Sequence, residues 1–187
     1  SDAHVDHYAR AMSALLHDSY DQHVALSKDT PAARFVSDED YCFGYKTHAD
    51  FLADDYAWGK RAAAGFKFEV VSGAQYALDD PAFGDAFETV VRCKDHGRIS
   101  DPGAYVQALA DHFVAQGGEL KIATIEDVEK DAGAIDALLT SAGRLTADKI
   151  VFALGPWSKE IAHKLGVQVP FESERGYHIE LINPSFM

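Results

Sequence analysis

What this sequence lacks narrows the field first. No G-x-G-x-x-G loop occurs in its 187 residues, so the usual glycine anchor for a dinucleotide is missing. There is no G-x-S-x-G elbow for a serine nucleophile, and no H-E-x-x-H or H-x-H grouping for zinc. No carboxylate pair suggests glycosidase chemistry. Cysteine is scarce: Cys42 and Cys93 stand alone, outside any C-x-x-C spacing, and read as thiols in a reducing compartment. Positive charge is short too. Seventeen Lys and Arg face 30 Asp and Glu, a net charge of −13, which disfavours nucleic acid and anionic membranes as partners. No apolar run approaches the ~20 residues of a membrane helix, and the N-terminus shows no signal-peptide order. The expected location is the cytoplasm. No repeat or low-complexity tract is present, and both ends, Ser1 and Met187, read as cut.

What remains is an ordinary globular composition, 47% hydrophobic and 25% charged. The nine histidines are scattered and read as solvated, so no metal is expected. Asp38-Glu39-Asp40 and Asp54-Asp55 read as solvated faces and loops.

Apolar residues at three- and four-residue steps predict a helix over 4–28, broken by Thr30-Pro31. "YCFGY" (41–45) reads as a strand. A helix over 47–64 is expected to turn Phe51, Leu52, Tyr56 and Trp58 toward a core, with Gly65 at its end. "FKFEVVSGAQYAL" predicts a strand and a short helix capped by Ser72, and "AFETVVRC" (86–93) another strand. "SDPGAYVQALADHFVAQGG" holds the clearest helix. Ser100 or Asp101 caps it, Pro102 sits in the first turn, Tyr105, Val106, Leu109, Phe113 and Val114 form one stripe, and Gly117 ends it. Strands are then expected at 119–123, 124–130, 134–140 and 144–154, with "SAG" (141–143) as a hairpin turn. A helix over 157–166 and a strand over 176–182 complete a mixed α/β (α+β) organisation with discontinuous lobes.

Two stretches carry the candidate chemistry. In "ADKIVFALGPWS" the apolar run 150–154 reads as a strand buried on both faces, ending at Gly155 and Pro156 with Ser158 near the helix start. That is either an ordinary strand–helix turn or the corner where a nucleotide lies against bare backbone. In "PFESERGYHIEL", Arg175 and Tyr177 share one strand face and His178 the other. A surface strand with a snorkelling arginine is the plainer reading.

Together with "VSGAQYALDDPAF" and "HGRISDPGAYVQALADHFVAQGGEL", these stretches resemble, in order and spacing, FAD-dependent oxidoreductases of the D-amino-acid oxidase superfamily, especially the D-amino-acid dehydrogenase-like bacterial branch. The resemblance implies an interior segment. Residues 1–95 would be mainly substrate lobe, 96–168 the second part of the FAD-binding lobe, and 169–187 a strand returning to the substrate lobe. The G-x-G-x-x-G unit and the C-terminal part would lie outside the segment and complete it. By the same resemblance the cofactor is FAD and the substrate a small amine or D-amino acid, with the α-hydrogen leaving as hydride. Ile125 would meet the adenine through its backbone. Ala153, Leu154 and Gly155 would pass the adenosine and pyrophosphate, and Trp157 would pack near them unless it is a plain core tryptophan. Arg175, Tyr177 and His178 fall on the strand leading toward flavin and substrate. No catalytic residue is carried over. Two alternatives stand beside this: a relative acting on glycerol-3-phosphate or sarcosine, and a non-catalytic binding or scaffold domain.

Overall fold

The computed structural model describes residues 2–170 and 172–177. It is a mixture of helices and antiparallel sheets, in two compact units divided between Glu119 and Leu120.

The first unit is organised by a three-stranded antiparallel sheet of order β2-β4-β3, from β2 (Tyr41–Tyr45), β3 (Phe68–Ser72) and β4 (Thr89–Cys93). Strand β4 is central because Val90 and Val91 are β-branched and can be buried on both faces. On one face Trp58, Val91 and Cys93 form the core, with Phe43, Tyr45, Phe51 and Phe68 packed against it. Trp58 meets Phe43 edge-on at 5.2 Å and lies 4.8 Å from Phe68. Its indole N–H donates to the Tyr45 hydroxyl (2.8 Å), which donates to the Asp54 carboxylate (2.6 Å). A polar tip inside an apolar cluster is thereby satisfied.

That relay reshapes a predicted helix. The expected single helix over 47–64 is two, α3 (His48–Ala53) and α4 (Asp55–Ala63), because Asp54 leaves helical geometry where it binds Tyr45. Thr47 and Asp50 form a reciprocal capping box at the start. Trp58 and Phe51 face the core as expected, but Leu52 and Tyr56 are exposed. The helix expected over 4–28 is likewise two, α1 (Asp2–Leu16) and α2 (Ser19–Ser27), and α1 buries no residue.

Beyond β3, Ser72 caps α5 (Gly73–Asp79) by accepting from the Gln75 N–H. On the second sheet face the Phe87 ring lies 2.6 Å from where a Cβ on Gly44 would be. The Phe87 carbonyl occupies the space of a Cβ on Gly73. A two-stranded ribbon, β1 (Val36–Asp38) with β5 (Gly97–Ile99), was not expected. Helix α6 (Pro102–Ala115) forms as read: Asp101 accepts from the Ala104 N–H at 2.9 Å, and Gly117 takes φ +93°. Of its apolar stripe, Tyr105 is buried, while Val106, Phe113 and Val114 are exposed. Asp38, Glu39 and Asp40 are exposed as expected; Asp40 pairs with Lys94 (2.6 Å) and Arg92, and Glu39 with Arg98. Both cysteines are free thiols. No helix among the described residues is long and apolar enough to cross a membrane.

The second unit holds an antiparallel sheet of order β6-β7-β8, from β6 (Ile125–Asp131), β7 (Ala134–Thr140) and β8 (Gly143–Leu145), followed by α7 (Ser158–Lys164). The strands expected at 124–130 and 134–140 are present, and so is the turn expected at 141–143, which joins β7 to β8. The strand expected over 119–123 is absent, and of 144–154 only the first two residues join β8. Ile122 and Val151 are 91% and 88% exposed, so the apolar run at 150–154 is not a strand buried on both faces. Apolar composition suits a strand but does not supply the hydrogen-bonding neighbour a strand requires. Among the described residues no strand pairs with either segment.

Candidate functional site

The second unit contains most of the residues singled out above. Ile125, half-buried, opens β6 opposite Thr140. Its approach is pinned: the Thr124 N–H donates to the Ser141 hydroxyl and the Ser141 N–H to the Thr124 carbonyl, both at 2.9 Å. Thr140 is buried, donating to the Gly143 carbonyl (2.8 Å) and accepting from the Ala142 N–H, which shapes the turn into β8. Immediately after Ile125 the register slips. Asp127, not Glu126, lies opposite Leu139, so Glu126 is the extra residue of a β-bulge.

The segment 151–154 is irregular, with Phe152 and Leu154 half-buried and Ala153 exposed. Gly155 turns it. Its φ of +54° lies in the left-handed region, and a Cβ built there would meet no atom within 4 Å. The glycine therefore serves the backbone turn and leaves its outer side bare. Pro156 follows in a 3-10 turn over Gly155–Trp157, closed by the Trp157 N–H donating to the Leu154 carbonyl at 3.2 Å. Trp157 is 76% exposed, which overturns the core-tryptophan alternative. Ser158 makes no capping bond; it is the first residue of α7.

Two lysines, which sequence reasoning passed over as ordinary surface charge, join α7 to β6. The Lys130 ammonium donates to the Lys164 carbonyl (2.6 Å) at the end of α7. The Lys164 ammonium donates to the Glu126 carbonyl (3.0 Å) and lies 3.2 Å from the Asp127 carboxylate. The Asp127 carboxyl is held below its ordinary range, first by the Val128 N–H and then by Lys164. Ile161 on α7 and Ala137 on β7 are buried. Arg144 pairs with Glu129 and Asp136 across the sheet.

Arg175 and Tyr177 lie in an irregular, exposed stretch over 172–177, so the strand expected from 176 is absent at Gly176 and Tyr177. His178 and the remainder of that strand lie outside the described residues. Among the described residues no group of three or more His, Cys, Asp or Glu is placed to hold a metal ion.

Residues 2–186 match the family described as "DAO: FAD dependent oxidoreductase". The chain belongs to that family. It is 28% identical over 184 residues to a D-amino-acid oxidase of Bradyrhizobium diazoefficiens, covering 98% of this chain and 44% of the relative. A D-amino acid dehydrogenase of the same organism is 30% identical over 141 residues, covering 73% of this chain and 33% of that one. Among solved structures, glycine oxidase from Bacillus cereus shares the fold at a TM-score of 0.63 and 16% identity, over 86% of this chain and 42% of that one. The chain thus spans less than half the length of these relatives.

The geometry is compatible with the family's cofactor. The corner at Gly155 has a bare outer side, with no atom within 4 Å of where a Cβ would stand. The irregular backbone of 151–154 has no ladder partner among the described residues.

Proposed function

We propose that this DAO-family chain is the interior part of a longer flavin-dependent oxidoreductase that oxidises a small amino acid or amine. The match over residues 2–186 carries the reading. Its finer parts are supported by the open backbone at Gly155 and by the two apolar segments of the second unit that join no sheet among the described residues. FAD, when bound, would supply the two-electron acceptor for the substrate's C–H bond.

In this reading Ile125 offers its backbone to the adenine, and Ala153, Leu154 and Gly155 line the adenosine and pyrophosphate. Trp157, exposed beside them, provides an aromatic wall. Residues 1–95 serve mainly the substrate lobe and 96–168 the cofactor lobe, while 169–187, with Arg175, Tyr177 and His178, return toward the substrate. The nucleotide loop and the carboxylate-anchoring group come from the rest of the parent chain. The exposure of Ile122 and Val151 is explained if strands from that remainder pair with the segments that carry them, since an apolar strand is stable only inside a sheet.

The test is the visible spectrum of the full-length parent protein, followed by anaerobic addition of D-alanine, glycine, sarcosine and glycerol-3-phosphate in turn. Bound flavin that bleaches with an amino acid supports the proposal. Bleaching only with glycerol-3-phosphate would move the substrate class, and a parent that takes up no flavin would end the reading.

A further inference from the structure

The bulge beside Ile125 and the corner at Gly155 are distant in sequence, yet one side chain connects the elements that carry them. A bulge leaves one residue without an opposite partner, bends its strand and re-aims the backbone next to it. Here the extra residue is Glu126, and its carbonyl is taken by the Lys164 ammonium at 3.0 Å. The same ammonium reaches the Asp127 carboxylate (3.2 Å) and stands 4.0 Å from Glu160 on its own helix. The return contact is the Lys130 ammonium on the Lys164 carbonyl, one of the acceptors a helix end leaves without an intrahelical donor. Each lysine therefore closes a backbone carbonyl on the other's element. The bonds are charge-assisted and stronger than their neutral counterparts.

This arrangement differs from an isolated exposed ion pair in its acceptors. Isolated surface pairs hold little because both side chains are free to leave. Here two acceptors are main-chain groups at fixed positions, one in the bulge and one at the helix end. The helix so held begins directly after the Gly155–Trp157 turn. The strand so held begins at Ile125.

We propose that Lys164, with Lys130, is a positioning residue that fixes the Ile125 backbone relative to the Gly155 corner, so that both meet the adenosine half of the cofactor at once. The assignment rests on the proposed FAD site above. Lys164 touches no part of the ligand; it holds the two backbone segments that do.

The experiment uses the full-length parent, freed of flavin and titrated with FAD and, separately, with adenosine 5′-diphosphate. Melting of each apoprotein is recorded alongside. K164M is expected to raise the dissociation constants of FAD and the diphosphate by the same factor, about tenfold, as displaced positioning groups do. K164R, which keeps a cation able to reach both acceptors, should stay within about threefold of wild type. A merely structural lysine would lower the apoprotein's melting temperature and leave both constants unchanged, and that result overturns the proposal. Loss of FAD affinity without loss of diphosphate affinity overturns it too, because the effect would then lie outside the adenosine half. Should K164M fail to fold, K130M removes the other half of the junction and faces the same criteria. A wild-type parent that binds neither ligand would refute the FAD site itself, a failure visible before any variant is compared.

Discussion

Replacing Gly155 with alanine separates what the protein needs at this corner from what a ligand needs. At φ +54° an alanine carries the left-handed penalty, about 1–2 kcal/mol. Nothing within 4 Å of the added methyl opposes it, so no packing cost joins that strain. For a domain of this size, 1 kcal/mol corresponds to about 2–4 °C of melting temperature. If FAD lies against this backbone, the methyl occupies its space, and overpacking of a fitted contact costs about 1–3 kcal/mol more. That is roughly a five- to 150-fold rise in the FAD dissociation constant. Gly133→Ala is the matched control. Gly133 sits at φ +86° with equally open surroundings, but in the β6–β7 turn, at the far end of β6 from Ile125. Apoprotein melting and flavin-fluorescence titration of both variants, in the full-length parent, give the answer. Equal melting losses with weakened FAD only for Gly155→Ala are expected. Equal FAD affinity in the two variants would refute the placement of the cofactor at this corner.

Gly73→Ala should be far more damaging than either, destabilising by about 3 kcal/mol in urea unfolding, because its methyl would meet the Phe87 backbone carbonyl rather than a yielding side chain. An unchanged midpoint would show that β4 and α5 are not locked there. Tyr45→Phe removes the middle of the Trp58–Tyr45–Asp54 relay and should cost about 1–2 kcal/mol. Burial, and then the bond to Asp54, raise the Tyr45 phenol above its ordinary value. Its contribution is therefore whole below the unfolded value of about 10 and fades as pH climbs through the raised folded one. Urea midpoints of wild type and Tyr45→Phe should converge in strong alkali, and a constant gap would refute the assignment. Residues 1–187 purified alone should hold FAD weakly or not at all, since they contain no G-x-G-x-x-G loop; a yellow protein with tightly held flavin would contradict this.

Local chemistry made several elements readable in advance. Helix α6 was legible because Asp101, Pro102 and Gly117 act within a turn of themselves, and α5 because Ser72 caps it directly. The turn between β7 and β8 was legible because Ser141-Ala142-Gly143 is short turn chemistry between two apolar segments, with Gly143 at φ +103°. The family was readable from the order of short motifs across the chain, and the match over residues 2–186 agrees with it.

Other features depended on partners remote in sequence. The break at Asp54 exists because a tyrosine on β2 donates to its carboxylate, and no helix pattern announces that bond. The β1–β5 ribbon is too short to read until Val36 and Ile99 are side by side. The Lys130–Lys164 junction looks like plain surface charge until a bulged strand and a helix end meet. The run at 150–154 has a strand's composition but no ladder partner among the described residues, and Val151 and Ala153 lie exposed. Amino-acid order by itself determined helix ends, turns and the apolar character of each segment, because those follow from a residue and its near neighbours. Which segments become strands, where helices break and how Ile125 is held were decided only in three dimensions, because each depends on a hydrogen-bond partner that folding brings from elsewhere in the chain.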